Sequence, residues 1–175
     1  MAWRTQILVS LVMLAAGQAI VAQGVHRATV GPKFSDLTPE DSERLHQQRA
    51  VVAAQIKQRY GSSLTRTKKD LPLLQRLIDE KAFQKSQTYE LQSLGVAFGD
   101  VLARELSLHW VMVTDEYGSD PTLRFKNTTI NMNALTMISK RVERGEDVDV
   151  ARLLQQSREG LAAMQRQLYG PKETK

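Results

Sequence analysis

The sequence predicts an α+β fold: a three-stranded antiparallel meander covered by helices, in the order α-α-α-β-β-β-α-α. Two changes of hydrophobic period carry this. Over most of the chain apolar residues recur three and four apart, the period of a helix with one buried face, whereas between Leu108 and Met132 they alternate. The length of 175 residues suits one domain, and no internal repeat divides it.

In chain order, residues 1–24 come first. Arg4 precedes an apolar run from Ile7 to Ala16, followed by the small and polar residues Gly17 and Gln18. That is the order of a secretory signal, with cleavage points after Ala19, Ala22 or Gly24. The run falls short of the ~20 apolar residues of a membrane span. Export directs the protein to the periplasm or the exterior. The alternative is an uncleaved anchor in the inner membrane, extended by Ile20, Val21 and Ala22, and membrane association is expected only in that case. Residues 25–37 contain Gly31 and Pro32 and no periodic pattern, and read as an extended leader with little structure. The domain proper runs from 38 to 170, with a tail at 171–175.

Thr38, Pro39, Glu40 and Asp41 form a strong helix start: a capping threonine, a proline at the first helical position, and acids near the positive end of the dipole. This helix runs to Tyr60 with Gly61 as its stop, on a narrow stripe of Leu45, Val52, Ile56 and Tyr60. Ser62 to Lys69 is a polar loop in which Arg66, Lys68 and Lys69 gather. It reads as a solvated connector, or as a contact for anionic lipid or cell-wall polymer. Asp70 and Pro72 open a short helix through Leu73, Leu74, Leu77 and Ile78, and Thr88 opens a third that ends near Leu106.

Leu91, Leu94, Gly95, Phe98, Gly99, Leu102 and Leu106 share one side of that third helix. A glycine inside a helix costs ~0.5 to 1 kcal/mol against alanine, so Gly95 and Gly99, four apart, imply a neighbour too close to admit a side chain. Asp100, Arg104 and Glu105 rule out a membrane dimer motif of this spacing, which leaves close packing of the helix on the sheet. Strand alternation follows. Leu108, Trp110, Met112, Leu123, Phe125, Ile130 and Met132 fall on one face, separated by a turn at residues 115–121 and a tight turn at Lys126-Asn127. A sheet this small needs a helix against its apolar face, and the glycine-bearing helix is the expected cover. Leu135, Ile138 and Val142 then make a short helix closed by Gly145, and a cap at Asp147 or Asp149 begins the last helix, which ends at Gly170-Pro171.

Composition excludes several chemistries. Without cysteine, thiolate zinc sites, disulfide scaffolds and cysteine nucleophiles are absent. His26, His46 and His109 are too far apart for a paired-histidine metal motif, so no metal and no cofactor is expected. The net charge of +5 comes without a block of like charges or interleaved aromatics, so nucleic acid is not an expected partner.

Asp115, Glu116, Tyr117, Ser119 and Asp120 form the richest cluster. It lacks the ladder and late glutamate of a calcium loop. A Ser119, His109 and Asp100 triad has no nucleophile elbow to support it. Asp115 and Asp120 can serve as a carboxylate pair for a hydrolase only if they face each other across the turn. Trp110 reads as core, and Asn127-Thr128-Thr129 matches the glycosylation triplet in a turn too short to be a good acceptor. Two functional readings follow. The first is a non-catalytic exported module that binds an unknown protein partner through Asp115, Glu116, Tyr117 and Asp120, or through the first helix. The second is a small hydrolase of cell-envelope polymer working through the turn's carboxylates.

From Leu71 to Leu154, the stretches LPLLQRLIDE, ELQSLGVAFGDVL, HWVMVTDEYGSDP, MISKRVERGE and DVDVARLL resemble a bacterial family, domain of unknown function three-eight-zero-six. The resemblance implies a self-contained domain whose signature is Gly95, Phe98, Gly99, Trp110, Asp115, Glu116 and Gly118. It implies no activity. This chain departs from the family pattern at Asn133-Ala134, where relatives often carry a proline, and residues 24–60 lie outside the resemblance.

Overall fold

The computed structural model describes residues 31–170. The expected signal at 1–24 and the expected tail at 171–175 lie outside the described residues. Strand β1 (Lys33–Ser35) is followed by α1 (Pro39–Tyr60), a single 3-10 turn (Lys68–Asp70), α2 (Leu71–Asp79) and α3 (Thr88–Leu106). The chain continues through β2 (Leu108–Asp115), β3 (Gly118–Phe125), β4 (Asn131–Met132), α4 (Leu135–Arg144) and α5 (Val150–Tyr169). The class is α+β and the five helices fall where their start and stop signals stand.

The sheet differs from the expected meander. It has four antiparallel strands in the order β1-β2-β3-β4, not three. The additional strand comes from the leader: Lys33, Phe34 and Ser35 pair with Thr114, Val113 and Met112. A three-residue strand has no period to read, and its partner lies 81 residues away in sequence. The two turns also exchange lengths. The first is a two-residue hairpin at Glu116-Tyr117, with Asp115 paired to Gly118 and pairing carried on through Pro121, which lies opposite Met112. Pro121 is tolerated because β4 reaches only Leu123 and Arg124, so β3 has no neighbour on that side at Pro121. The second connection is the longer one, bending through residues 126–130 with Lys126 at φ 48°.

Local chemistry sets the helix ends. Thr38 Oγ1 accepts from the Asp41 backbone N–H, and the Asp41 carboxylate accepts from the Thr38 N–H, a reciprocal cap ahead of Pro39. Gly61 (φ 64°) and Gly145 (φ 75°) close α1 and α4 in the left-handed conformation. Asp149 caps α5 through the Arg152 N–H.

Helix α3 runs through the middle of the core, with Leu91, Leu94, Phe98 and Leu102 almost wholly buried. It carries α1 on one side, through Leu45, Val52 and Ile56, and α4 on another. The two glycines have separate neighbours. A Cβ on Gly99 would lie 2.5 Å from the Trp110 ring, which is the helix-on-sheet contact expected from sequence. A Cβ on Gly95 would instead lie 2.3 Å from the Leu135 carbonyl oxygen and 2.7 Å from that of Ala134, so Gly95 admits the start of α4. Ala134, at the departure from the family pattern, is fully buried between them.

The inner face of the sheet holds the seven apolar side chains read from the alternation, six of them buried and Trp110 half-buried. On the outer face, Val111 and Thr122 are also buried. The Arg124 guanidinium lies 4.3 Å from the Phe34 ring centroid, so one charged and one aromatic side chain cover this second, small apolar strip.

Candidate functional site

The acidic turn becomes the tip of the β2–β3 hairpin. All residues from Thr114 to Asp120 are exposed, and Tyr117 retains 89% of its surface. The tip is internally braced: Asp115 Oδ1 accepts from the Tyr117 N–H at 2.8 Å, and the Thr114 and Ser119 hydroxyls lie 2.7 Å apart. The positive φ at the tip falls on Gly118, at 131°, directly after the two-residue loop, a conformation that side chains rarely adopt. Asp115 lies opposite Gly118 and Val113 opposite Asp120, which places Asp115 and Asp120 on the same face of the hairpin. That face points away from α3. The two acids therefore stand together in solvent, not within a cleft.

No triad forms. His109 is exposed on the outer face opposite Arg124, Ser119 is paired with Thr114 at the far end of the same strand, and Asp100 is engaged elsewhere. The Asn127 triplet sits in the bend after β3. Among the described residues, no group of three or more metal-binding side chains comes together, and no helix is long and apolar enough to cross a membrane.

Asp100 is the centre of a cluster that sequence reasoning did not single out. It is 8% exposed, and its carboxylate accepts from Arg49 Nε at 2.6 Å and Arg49 Nη2 at 2.9 Å, a two-pronged pair. Trp110 Nε1 donates to the same carboxylate at 3.0 Å, and Arg66 Nε approaches to 3.8 Å. Asp100 thus links α1, α3, β2 and the loop before the 3-10 turn. The only sequence signal was an acid one place after a core glycine, on a helix otherwise apolar on that side. Its partner Arg49 is 51 residues distant.

Beside this cluster lies a groove of about 420 Å³ between α1 and residues 63–66. Its walls carry His46, Arg49, Lys57 and Arg66, and Ala53 and Ala97 leave it open. The loop is held by Asp70, which is 1% exposed and accepts from the Thr65 N–H, the Thr65 hydroxyl and the Arg66 N–H. Arg66 itself is at φ 57°. A larger cleft of about 860 Å³ opens between the α2–α3 and α4–α5 connections. Its walls are Leu77, Phe83 and Leu91, with Lys81, Lys85 and Glu146 on the rim.

Two titrating groups are displaced by their surroundings. The Thr38 backbone N–H, followed by the Arg44 guanidinium, holds the Asp41 carboxyl below its ordinary value. Burial first, and the hydrogen bond to Glu80 second, push the Tyr60 phenol upward. Both serve α1 and its packing; neither lies in the groove or the hairpin tip.

Comparison with known proteins agrees on the fold. A crystal structure from Bacteroides thetaiotaomicron VPI-5482, at 1.50 Å resolution, superposes with a TM-score of 0.67 at 15% sequence identity. The match covers 74% of this chain and 48% of that one, so this chain spans about half the length of its structural neighbour. At that identity the likeness is one of fold alone. No curated protein matches. Residues 70–153 match the model of the family described as Domain of unknown function (DUF3806), so the resemblance read from Leu71 to Leu154 stands over essentially the same span.

Proposed function

We propose that the protein is an exported, non-catalytic binding module that contacts a protein partner through the β2–β3 hairpin tip. The observation that carries this is the 89% exposure of Tyr117 on a two-residue turn between acids. An amphipathic ring held on a braced loop is a low-entropy anchor, and Asp115, Glu116 and Asp120 around it favour a basic partner surface. Export rests on the Arg4, apolar-run and small-residue order of the first 24 residues.

A cell-envelope hydrolase working through the same carboxylates is the weaker reading. Such an enzyme needs two polar groups converging in a cleft that can exclude water. Asp115 and Asp120 share a face, but each is exposed.

The test is affinity capture from the periplasmic fraction of the host, with wild-type protein and Tyr117→Ala side by side. A partner bound by the wild type should be weakened by Tyr117→Ala by ~1 kcal/mol or more, about fivefold in Kd, with the melting temperature unchanged. A partner retained equally by both proteins removes the tip from the interface. Cleavage of envelope polymer by the purified protein, lost with Asp115→Asn alone, would establish the hydrolase instead.

A further inference from the structure

Independently of the hairpin, we propose that the groove between α1 and residues 63–66 binds a small phosphate ester, with Lys57 and Arg66 as its principal contacts and His46 at the rim. The groove is built by α1 presenting His46, Arg49, Ala53 and Lys57 at intervals of three and four, one side of a helix, across from Ser63 to Arg66. The alanines make the concavity and the long side chains supply charge.

Among the described residues the lining carries three cations, Arg49, Lys57 and Arg66, against two carboxylates, so one positive charge is left in excess. Two carboxylates line the groove, Asp70 and Asp100. Asp70 is turned into its own loop, where the Thr65 and Arg66 N–H groups and the Thr65 hydroxyl occupy it. Asp100 is taken by the two-pronged contact from Arg49 and by the Trp110 indole. Among the described residues, Lys57 has no carboxylate within 4.0 Å, and Arg66 has only its 3.8 Å approach to the already engaged Asp100. Lys57 and Arg66 therefore border one concavity without a dedicated counter-ion, and the net positive charge of the lining draws an anion in.

Phosphate suits this better than a lone carboxylate. A phosphate monoester carries about −1.5 to −2 charges near neutral pH and three strong acceptor oxygens. The planar guanidinium of Arg66 and the compact ammonium of Lys57 can divide those oxygens between them. The volume of about 420 Å³ lies within the span of small-molecule pockets, ~300 to 1,000 Å³. The cations line a concave groove, which selects a soluble ester over the flat surface of a bilayer. All four basic residues precede residue 70, whereas both carboxylates lie within the family-matched segment. The cationic wall of the groove thus lies in front of the family-matched segment.

Glycerol 3-phosphate is the probe, titrated into the full-length 15N-labelled protein, with glycerol as the uncharged control. Saturable amide shifts confined to residues 46–57 and 63–66 are expected with the ester and not with glycerol. The Lys57→Gln/Arg66→Gln double variant should bind at least tenfold more weakly at an unchanged melting temperature. Lys126→Gln/Lys140→Gln, remote from the groove, should bind like the wild type. Equal affinity of the groove variant, shifts scattered over other basic residues, or no saturation by about 10 mM ester would overturn the proposal. So would sedimentation with phosphatidylglycerol vesicles in the absence of ester binding, since that reads the same cations as a lipid contact.

Discussion

Replacing Gly95 by alanine adds one methyl group at the closest approach made to any glycine among the described residues. Its carbon would lie 2.3 Å from the Leu135 carbonyl oxygen, about 0.7 Å inside the 3.0 Å that Cβ contacts essentially never cross. The Ala134 oxygen at 2.7 Å blocks a second direction. Both obstacles are backbone atoms at the start of α4, so no rotamer change relieves them, and α3 and α4 must separate. Opposing this is the gain of ~0.5 to 1 kcal/mol that alanine brings to a helix interior. Overpacking a well-filled core costs ~1 to 3 kcal/mol and occasionally more. With rigid partners the upper part of that range applies, so a net loss of ~2 kcal/mol is expected. Gly160→Ala isolates the opposing contribution: it lies inside α5 with nothing within 4 Å of the added carbon. It should gain ~0.5 to 1 kcal/mol. Urea unfolding followed by far-UV circular dichroism, with the slope held common, reads both variants. A Gly95→Ala midpoint at or above that of the wild type would refute the close-approach argument, whatever Gly160→Ala does.

Three other outcomes follow from the described contacts. Asp100→Ala leaves Arg49 and the Trp110 indole without their acceptor and should lose ~3 kcal/mol, while an Arg49→Met/Asp100→Leu double variant recovers the part owed to the stranded Arg49, since an apolar pair can replace a buried ion pair; chemical denaturation of the three proteins checks this. Because the folded state depresses the Asp41 pKa below 3.8, its contribution is fully present above that value and is lost as pH falls through the folded value; Asp41→Asn should flatten the acid limb of stability against pH without altering its dependence above pH ~5. Tyr60, raised above 10.0 by burial and Glu80, should ionise later in wild type than in Glu80→Gln on ultraviolet titration; an unchanged Tyr60 transition would remove Glu80 as a cause.

The parts of this fold that could be read from sequence are those decided by neighbours within about four residues. Thr38, Pro39 and Asp41 announce α1 because a cap is local chemistry, and Gly61, Gly145 and Gly170 end helices by the same logic. The inner face of the sheet was legible because a period of two needs only the strand itself. Beyond that range no local signal exists. Strand β1 depends on register with β2, and the turn lengths on which of two polar stretches continues the ladder. Pro121 stands in β3 because its nitrogen faces the side that β4 does not reach, which is decided by the sheet and not by the strand. The glycine pair signals close packing, but only Gly99 meets the sheet as expected; Gly95 meets α4, which arrives about 40 residues later. The hairpin cluster was found as a group of polar residues in one turn. The Asp100 cluster and the groove were not, since Arg49, Arg66, Asp100 and Trp110 share no local pattern and meet only when α1 packs on α3.

The small strand β1 bears on the timing of folding. Lys33 is synthesised 81 residues before its partner Thr114. At ~5 to 20 residues per second, the ribosome needs about 4 to 16 s to produce that partner. Throughout that interval the segment must wait, tethered to α1, with no sheet to join. Its composition suits the delay: only Phe34 is apolar, and Lys33 and Ser35 make a poor template for another chain's strand. When the β2–β3 hairpin forms, β1 reaches its edge already covalently positioned, and Phe34 meets Arg124 across the outer face. Strand β1 is made before the strand it joins and pairs with Met112 to Thr114, so its docking closes that stretch of the β2 edge to other chains.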